Sequence, residues 1–191
     1  MIEFDLVIVG VGGQGAILSS DIVGLAAVNS GVPVQASETH GMAQRGGSVE
    51  NHVRIGLTYG SLIPKRQADC ILGLEPVEAL RAVDYLSSGG VIVVNTNPIL
   101  PITALSGACE YPDVDMMINE LRNYCKELVA VDANSIAKQA GHPLTANVVM
   151  IGALSKFIPL SVEKLEESIR RLVPPKTVDV NIEAFRLGRL Q

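Results

Sequence analysis

The sequence predicts an α/β fold: a three-layer α/β/α domain around a mostly parallel sheet that can admit a mixed edge, with a Rossmann-like start. Three observations carry this. The apolar run Phe4–Val9 ends in Gly10-Val-Gly12-Gly13-Gln14-Gly15, the strand-to-helix turn of nucleotide-type folds. β-branched runs then alternate with helix-length segments, the pattern of βα units. Finally, 48% of the 191 residues are hydrophobic and only 18% are charged, as suits strands buried on both faces.

The elements follow in order. After Phe4–Val9, Gln14–Ser30 reads as a helix with Leu18, Ile22, Leu25 and Asn29 on one stripe and Gly31 as its stop. Val32–Ala36 is a second strand. Val49–Ile55 alternates, with Val49, Val53 and Ile55 on one face and Glu50, His52 and Arg54 on a polar face. Asp69–Leu74 is a strand, and Pro76–Leu86 a helix opened by proline and ended by Gly89-Gly90. Val91–Asn95 is another strand.

Thr96–Pro112 is rich in Pro, Thr and Gly and is expected to be irregular, with a short strand near Ala104. Val114–Lys126 is helical, Leu128–Val131 a strand, and Asp132 caps a helix over Asn134–Gly141. Ala146–Phe157 and Val162–Leu172 form a helix pair. Ser161 caps the second, and Glu166–Arg170 and Glu167–Arg171 lace it at i,i+4. Pro174-Pro175 breaks the chain before Val178–Leu190. Residues 1–191 are read as one domain, with 176–191 an amphipathic C-terminal segment.

Composition narrows the partners. A net charge of −5, four Tyr, three Phe and no Trp offer neither the basic stripe nor the stacking platform that nucleic acid needs. No apolar run approaches the roughly 20 residues of a membrane helix, and Glu3 and Asp5 interrupt any signal-peptide reading. A cytoplasmic chain with no membrane partner is expected. A mean hydropathy of +0.32 is high for a free-standing domain, so part of the surface is expected to be covered by a partner. Cys70, Cys109 and Cys125 are far apart, without the spacing of a zinc or iron–sulfur site. They are expected to be buried, reduced thiols.

The Gly10, Gly12 and Gly15 spacing lets backbone approach an anion at the start of the following helix. A tight turn with no ligand explains it equally well. An NAD site also needs a carboxylate ending the second strand, and here the nearest, Glu38, opens the next loop. A phosphate-bearing ligand other than NAD stands between these readings. Among single residues, Glu75 can cap the helix that follows it or face a ligand, and the cap is preferred. Asn95 and Asn97 sit at a strand end, to contact a ligand or shape the turn at Pro98. Asn147 is read as a turn or helix-start residue and His142 as marking a turn. His40 and His52 are twelve apart, and a metal there would need further ligands converging on them.

The second glycine-rich stretch is more specific. Glu38-Thr-His-Gly-Met-Ala-Gln-Arg-Gly-Gly47 follows the first loop. Val53-Arg-Ile-Gly56, Leu74-Glu-Pro-Val-Glu-Ala-Leu80, Val94-Asn-Thr-Asn-Pro98, Ala146-Asn-Val-Val149 and Val173-Pro-Pro-Lys176 lie beyond it. Together with Gly10–Gly15, this set resembles the gamma-type subunit or domain of 2-oxoacid:ferredoxin oxidoreductases over almost the whole chain. His40 leans the resemblance toward the small (beta) subunit of the indolepyruvate enzymes.

The resemblance implies a complex that oxidatively decarboxylates a 2-oxoacid, passing the acyl group to coenzyme A and the electrons to ferredoxin. Thiamine diphosphate and the iron–sulfur clusters are then expected on partner subunits, with no cofactor bound by this chain alone and no turnover by it in isolation. An isolated chain can also pair with itself as a homodimer. Gly10, Gly12, Gly13, Gln14 and Gly15, with Thr39, His40, Gly41, Arg45, Gly46 and Gly47, are the candidate wall of a coenzyme A or active-site cleft. No catalytic residue or metal ligand is assigned. Arg45 suits a phosphate or carboxylate; the same loop would serve equally as a docking surface for the thiamine subunit. The alternative function is a stand-alone nucleotide- or coenzyme-binding module with a regulatory or scaffolding role.

Overall fold

The computed structural model describes residues 3–40, 46–56 and 60–191. Its centre is a six-stranded sheet in the order β2-β3-β1-β4-β5-β6. The strands are β1 (Phe4–Val11), β2 (Val34–His40), β3 (Ser48–Ile55), β4 (Ala68–Gly73), β5 (Leu86–Asn95) and β6 (Glu127–Val131). β1, β4, β5 and β6 pair in parallel, whereas β3 runs antiparallel to both β1 and β2. The mostly parallel sheet thus has a mixed edge.

β1 explains why its sequence is continuously apolar. Leu6 and Ile8 enter the core on one face, while Val7 and Val9 enter the core on the other, all four buried. The first face is covered by α1 (Ala16–Asn29), α5 (Ala133–Ala140), α6 (Ala146–Leu154), α7 (Val162–Leu172) and α8 (Val178–Gly188). The second is covered by α2 (Pro76–Arg81) and α4 (Val114–Leu121); a single turn, α3 (Ile102–Leu105), lies between these two in sequence. Ile182, Ala184 and Phe185 of α8 are buried, so the C-terminal segment belongs to the core.

Local chemistry sets several boundaries, those at Asp132 and Ser161 as expected. Asp113, Asp132 and Ser161 cap α4, α5 and α7 by accepting the N–H groups of Met116, Ser135 and Lys164. Gly141 ends α5 at φ 113°. Glu166 meets Arg170 at 3.8 Å as expected and Arg186 of α8 at 3.0 Å, whereas Glu167 pairs with Lys164 at 2.9 Å rather than with Arg171.

Other expectations are corrected. The second strand is Val34–His40 rather than Val32–Ala36, so Glu38 lies on a strand antiparallel to β3 rather than opening a loop. Cross-strand pairing carries Glu38, Thr39 and His40 into β2 opposite Asn51, Glu50 and Val49. The second helix stops at Arg81; a 3₁₀ turn over Val83–Tyr85 follows, and Gly89-Gly90 falls inside β5. Gly90 is needed there because a Cβ would lie 2.5 Å from Leu86 Cδ1. The segment near Ala104 is the helical turn α3, not a strand. The buried stripe of α1 runs through Ala16, Ser19, Ile22, Val23, Ala26 and Ala27, with Leu18 and Leu25 at its margins. Cys70 is buried, Cys125 is half-buried and Cys109 is exposed, so the thiols are not uniformly interior.

Candidate functional site

The carboxyl ends of β1, β4 and β5 meet at one end of the sheet, the place where open α/β folds receive ligands. β1 delivers the first glycine segment there. Gly15 caps α1 at φ 80° with no side-chain cap and no acidic residue in the first turn. Among the described residues, the N–H groups of Gly13 and Gly15 donate to nothing. A turn followed by an uncapped helix start leaves such donors for an outside group.

Gln14 has a different role from the one expected. Its Oε1 accepts the N–H of Val11 at 2.7 Å and its Nε2 donates to Leu74 O at 2.8 Å. Both ends are committed to the backbone, so Gln14 ties β1 to the end of β4. A Cβ on Gly10 would sit 2.8 Å from Gln14 Oε1 and 3.0 Å from Leu74 Cβ. Gly10 therefore makes room for this tie.

The two glycine segments come together. Gly12 N–H donates to Gly47 O at 2.8 Å, and Gly46 N–H donates to Gly12 O at 3.3 Å. Gly46 has φ 76°, a conformation that favours glycine. Thr39 and His40 lie on β2, separated from β1 by β3. Gly41 and Arg45 lie outside the described residues.

A cleft of about 620 Å³ runs beside α1, lined by Gly12, Gly13, Gly15, Ile17, Asp21 and Glu38 among others. Sequence reasoning missed Asp21, although its position one turn and a half into α1 was an available signal. Glu38 does face the glycine cleft. It does so from β2, two strand spacings from β1, because β3 intervenes. A Rossmann acid stands on the strand next to the first, so the arrangement differs from an NAD site.

On the opposite face a cleft of about 470 Å³ is lined by Gly46, Ser48, Glu75, Glu78, Arg81 and Tyr111 among others. Glu75, 1% exposed, caps α2 by accepting Glu78 N–H at 3.0 Å and also accepts from Tyr111 Oη and Ile99 N–H. Burial and this bond push the Tyr111 phenol well above its ordinary range. Glu78 accepts from Ser48 Oγ at 2.6 Å and Arg81 Nη1 at 2.7 Å. The cap reading of Glu75 holds. The role of Glu78 was missed, although the Leu74-Glu-Pro-Val-Glu motif marked it.

Asn95 is likewise structural, donating to Leu74 O and accepting from Asn97 N–H and Ala133 N–H. Asn97 accepts from Asn134 N–H at 3.0 Å. His142 accepts from Leu144 N–H and shapes a turn. On the polar face of β3, His52 is buried at 1% exposure, because residues 60–63 cover this face instead of water. Among the described residues no group of three His, Cys, Asp or Glu is arranged to hold a metal. No helix among them is long and apolar enough to cross a membrane.

This geometry has known relatives. The family model described as pyruvate ferredoxin/flavodoxin oxidoreductase matches residues 5–191. Indolepyruvate oxidoreductase subunit IorB of Thermococcus kodakarensis is 46% identical over 192 residues, with 98% of this chain and 95% of the relative aligned. IorB of Archaeoglobus fulgidus is 44% identical over 188 residues, with 97% and 94% aligned. The solved keto/oxoacid ferredoxin oxidoreductase gamma subunit of Geobacter sulfurreducens superposes with a TM-score of 0.71 at 25% identity, over 97% of this chain and 95% of that one. The likeness runs the full length of both partners in each case, and the chain belongs to the pyruvate ferredoxin/flavodoxin oxidoreductase family, as a small, gamma-type subunit.

Proposed function

We propose that this chain is the small subunit of an oxidoreductase acting on indolepyruvate or a similar aryl pyruvate, in a cytoplasmic complex. A partner subunit carries thiamine diphosphate and iron–sulfur clusters. The oxoacid and coenzyme A become acyl-coenzyme A and carbon dioxide, and two electrons pass to ferredoxin. The observation that supports a ligand-facing role is the Gly12–Gly47 hydrogen bond of 2.8 Å, which joins both glycine segments into one surface. The unpaired N–H groups of Gly13 and Gly15 fit the polar groups of coenzyme A, whose thiol supplies the acyl acceptor when bound. This chain's part is to bind and orient.

Anaerobic isolation of the complex tests this reading. Co-purification of a large thiamine- and cluster-bearing subunit, with viologen reduction that needs both indolepyruvate and coenzyme A, is expected. Activity on pyruvate or 2-oxoglutarate alone would overturn the aryl assignment. An inactive chain with no such partner would favour the stand-alone binding module. In the assembled enzyme, Arg45→Ala should raise the KM for coenzyme A or the oxoacid; if both hold, the second glycine segment serves docking only.

A further inference from the structure

A smaller cleft, about 170 Å³, lies beside Gly13 at the carboxyl ends of β4 and β5. Gly13 also lines the larger cleft along α1, so the two share a wall. The small cleft has no charged side chain among its lining residues, which include Gln14, Asn95, Asn97, Asn134 and Asn147. It falls below the roughly 300 Å³ that a drug-sized ligand occupies. It therefore takes one group of a larger molecule.

Most of these carboxamides are already engaged. Gln14 and Asn95 bond to backbone, and Asn97 accepts from Asn134 N–H. Asn147, in the first turn of α6, is different. Its Nδ2 donates to Gly15 O at 3.4 Å, which fixes the orientation of the amide and leaves Oδ1 on the other side. The residue is only 6% exposed, and among the described residues Oδ1 accepts no hydrogen bond. Oδ1 is not among the polar atoms sealed from solvent without a partner, so it is reachable from the cleft. A buried acceptor without a donor is costly unless a ligand or water completes it.

We propose that Asn147 Oδ1 accepts a hydrogen bond from an uncharged, planar N–H group of the ligand, an amide or an aminopurine, seated in this cleft across Gly13 from the α1 cleft. The absence of charge in the lining suits such a group and disfavours a phosphate. The free N–H of Gly13 stands at the same wall and supplies the complementary donor. This assignment rests on the coenzyme-binding reading above, because coenzyme A carries both kinds of group: amides in its pantetheine arm and an aminopurine at its far end.

The test uses the assembled enzyme with Asn147→Ala. Loss of one neutral hydrogen bond should raise the KM for coenzyme A by roughly 3- to 10-fold, with the oxoacid KM held. Titration calorimetry with adenosine 3′,5′-bisphosphate and with pantetheine separates the sources. Weakening of the first probe alone assigns the aminopurine, and weakening of the second alone the amide. If the variant binds coenzyme A and both probes as the wild type does, the role of Asn147 is overturned. Should Asn147→Ala fail to assemble, Leu144→Trp provides the second variant. Leu144 lines the cleft and is 82% exposed, so a larger ring there narrows the mouth without loading the core. An unchanged coenzyme A KM in that variant would also overturn the proposal. The two readings fail separately: the proposed function falls if the wild-type complex turns over without coenzyme A, whereas this inference falls on the variants.

Discussion

Ser48 donates its hydroxyl to Glu78 Oε2 across 2.6 Å, and this bond ties the second glycine segment to the sheet's other face. Ser48 directly follows Gly46-Gly47, which pairs with Gly12. Glu78, 7% exposed, is held in turn by Arg81 at 2.7 Å. The chain of contacts therefore runs from α2 through Ser48 to the glycine pair and on to β1.

Ser48→Ala removes one charge-assisted bond from a carboxylate with little access to water. A loss of about 1–2 kcal/mol in urea unfolding is expected. If the bond also sets the glycine turn, the coenzyme A KM rises in the assembled enzyme. Ser48→Thr keeps the hydroxyl and should restore both values. A KM that follows stability loss in neither variant would confine the bond to folding.

On the polar face of β3 the decisive group is His52. Its Nδ1 accepts the N–H of Ile63 at 3.0 Å, which places the ring proton on Nε2, 2.9 Å from Glu50 Oε1. Tyr85 meets the ring edge-on at 5.1 Å. Arg54 grips Asp5 with two nitrogens and also donates to Gly60 O and Leu62 O. Residues 60–63 are thus strapped over the strand. His52→Ala leaves a cavity and an unpaired buried N–H, for an expected loss of about 3 kcal/mol. Hydrogen exchange at Ile63 should accelerate in step. His52→Asn returns an acceptor near the Nδ1 position and should recover exchange protection more than it recovers stability. Equal protection in the wild type and His52→Ala would remove the strap from the account.

How legible this was depended on range along the chain. β1 and its glycine turn were readable because strand, turn and helix start lie within a dozen residues and each has its own residue signature. Asp132 and Ser161 were readable as caps for the same reason. The extension of β2 to His40 was not, since Glu38-Thr-His carries no strong strand signal and is held in β2 by partners nine or more positions away, such as Val49 and Asn51. The polar face of β3 was legible from its alternation, but its covering was not, because nothing local announces that residues 60–63 fold back over it. The geometry of the candidate site was half legible. Glycine spacing marked the two segments that pair through Gly12 and Gly47, but the engagement of Gln14 by Val11 and Leu74 and the free acceptor of Asn147 emerge only when distant segments meet.

Where α6 crosses α8, glycines decide the packing. A Cβ on Gly188 would lie 2.0 Å from Val149 O, and one on Gly152 would lie 2.2 Å from Phe185 O. These neighbours are backbone and cannot rotate away. Alanine gains about 1 kcal/mol of helix propensity over glycine, whereas forcing the helices apart around buried Phe185 costs about 3 kcal/mol. Crowding wins, so Gly188→Ala should destabilise by about 2 kcal/mol. Gly24 of α1 has nothing within 4 Å of its Cβ position, and Gly24→Ala should stabilise by about 1 kcal/mol. Thermal unfolding of the two variants, moving in opposite directions, checks the argument. A rise in Tm for both would show that the crossing is looser than these contacts.

The three thiols should separate kinetically. Burial, with Asp69 nearby, pushes the Cys70 thiol far above its ordinary range, and burial also raises Cys125. A raised value leaves less thiolate at neutral pH, and thiolate is the reactive form. Cys109 is exposed. Labelling of the isolated chain with a thiol-disulfide reagent should modify Cys109 first, Cys125 more slowly and Cys70 only with unfolding. Peptide mapping at early time points reads the order; early modification of Cys70 would contradict the closed core around β4.

Asp132 gives the chain an acid-sensitive helix start. The Ser135 hydroxyl leads in holding its carboxyl below the ordinary carboxylate value, with help from Ser135 N–H, Asn97 and Lys138. A carboxylate whose folded value is depressed stabilises the fold above its unfolded value, near 4. That contribution fades as pH falls from there through the folded value. Asp132→Ala should cost about 1 kcal/mol at pH 7 through loss of the cap and should flatten the acid limb of the stability profile. Asp132→Asn retains an acceptor for Ser135 N–H but cannot titrate. It should keep most of the neutral-pH stability while showing the same flattened limb below pH 4. Urea unfolding from pH 2.5 to 7 distinguishes the two. If Asp132→Asn kept the full acid dependence of the wild type, other carboxylates would have to carry it, and the cap would contribute through hydrogen-bond geometry alone.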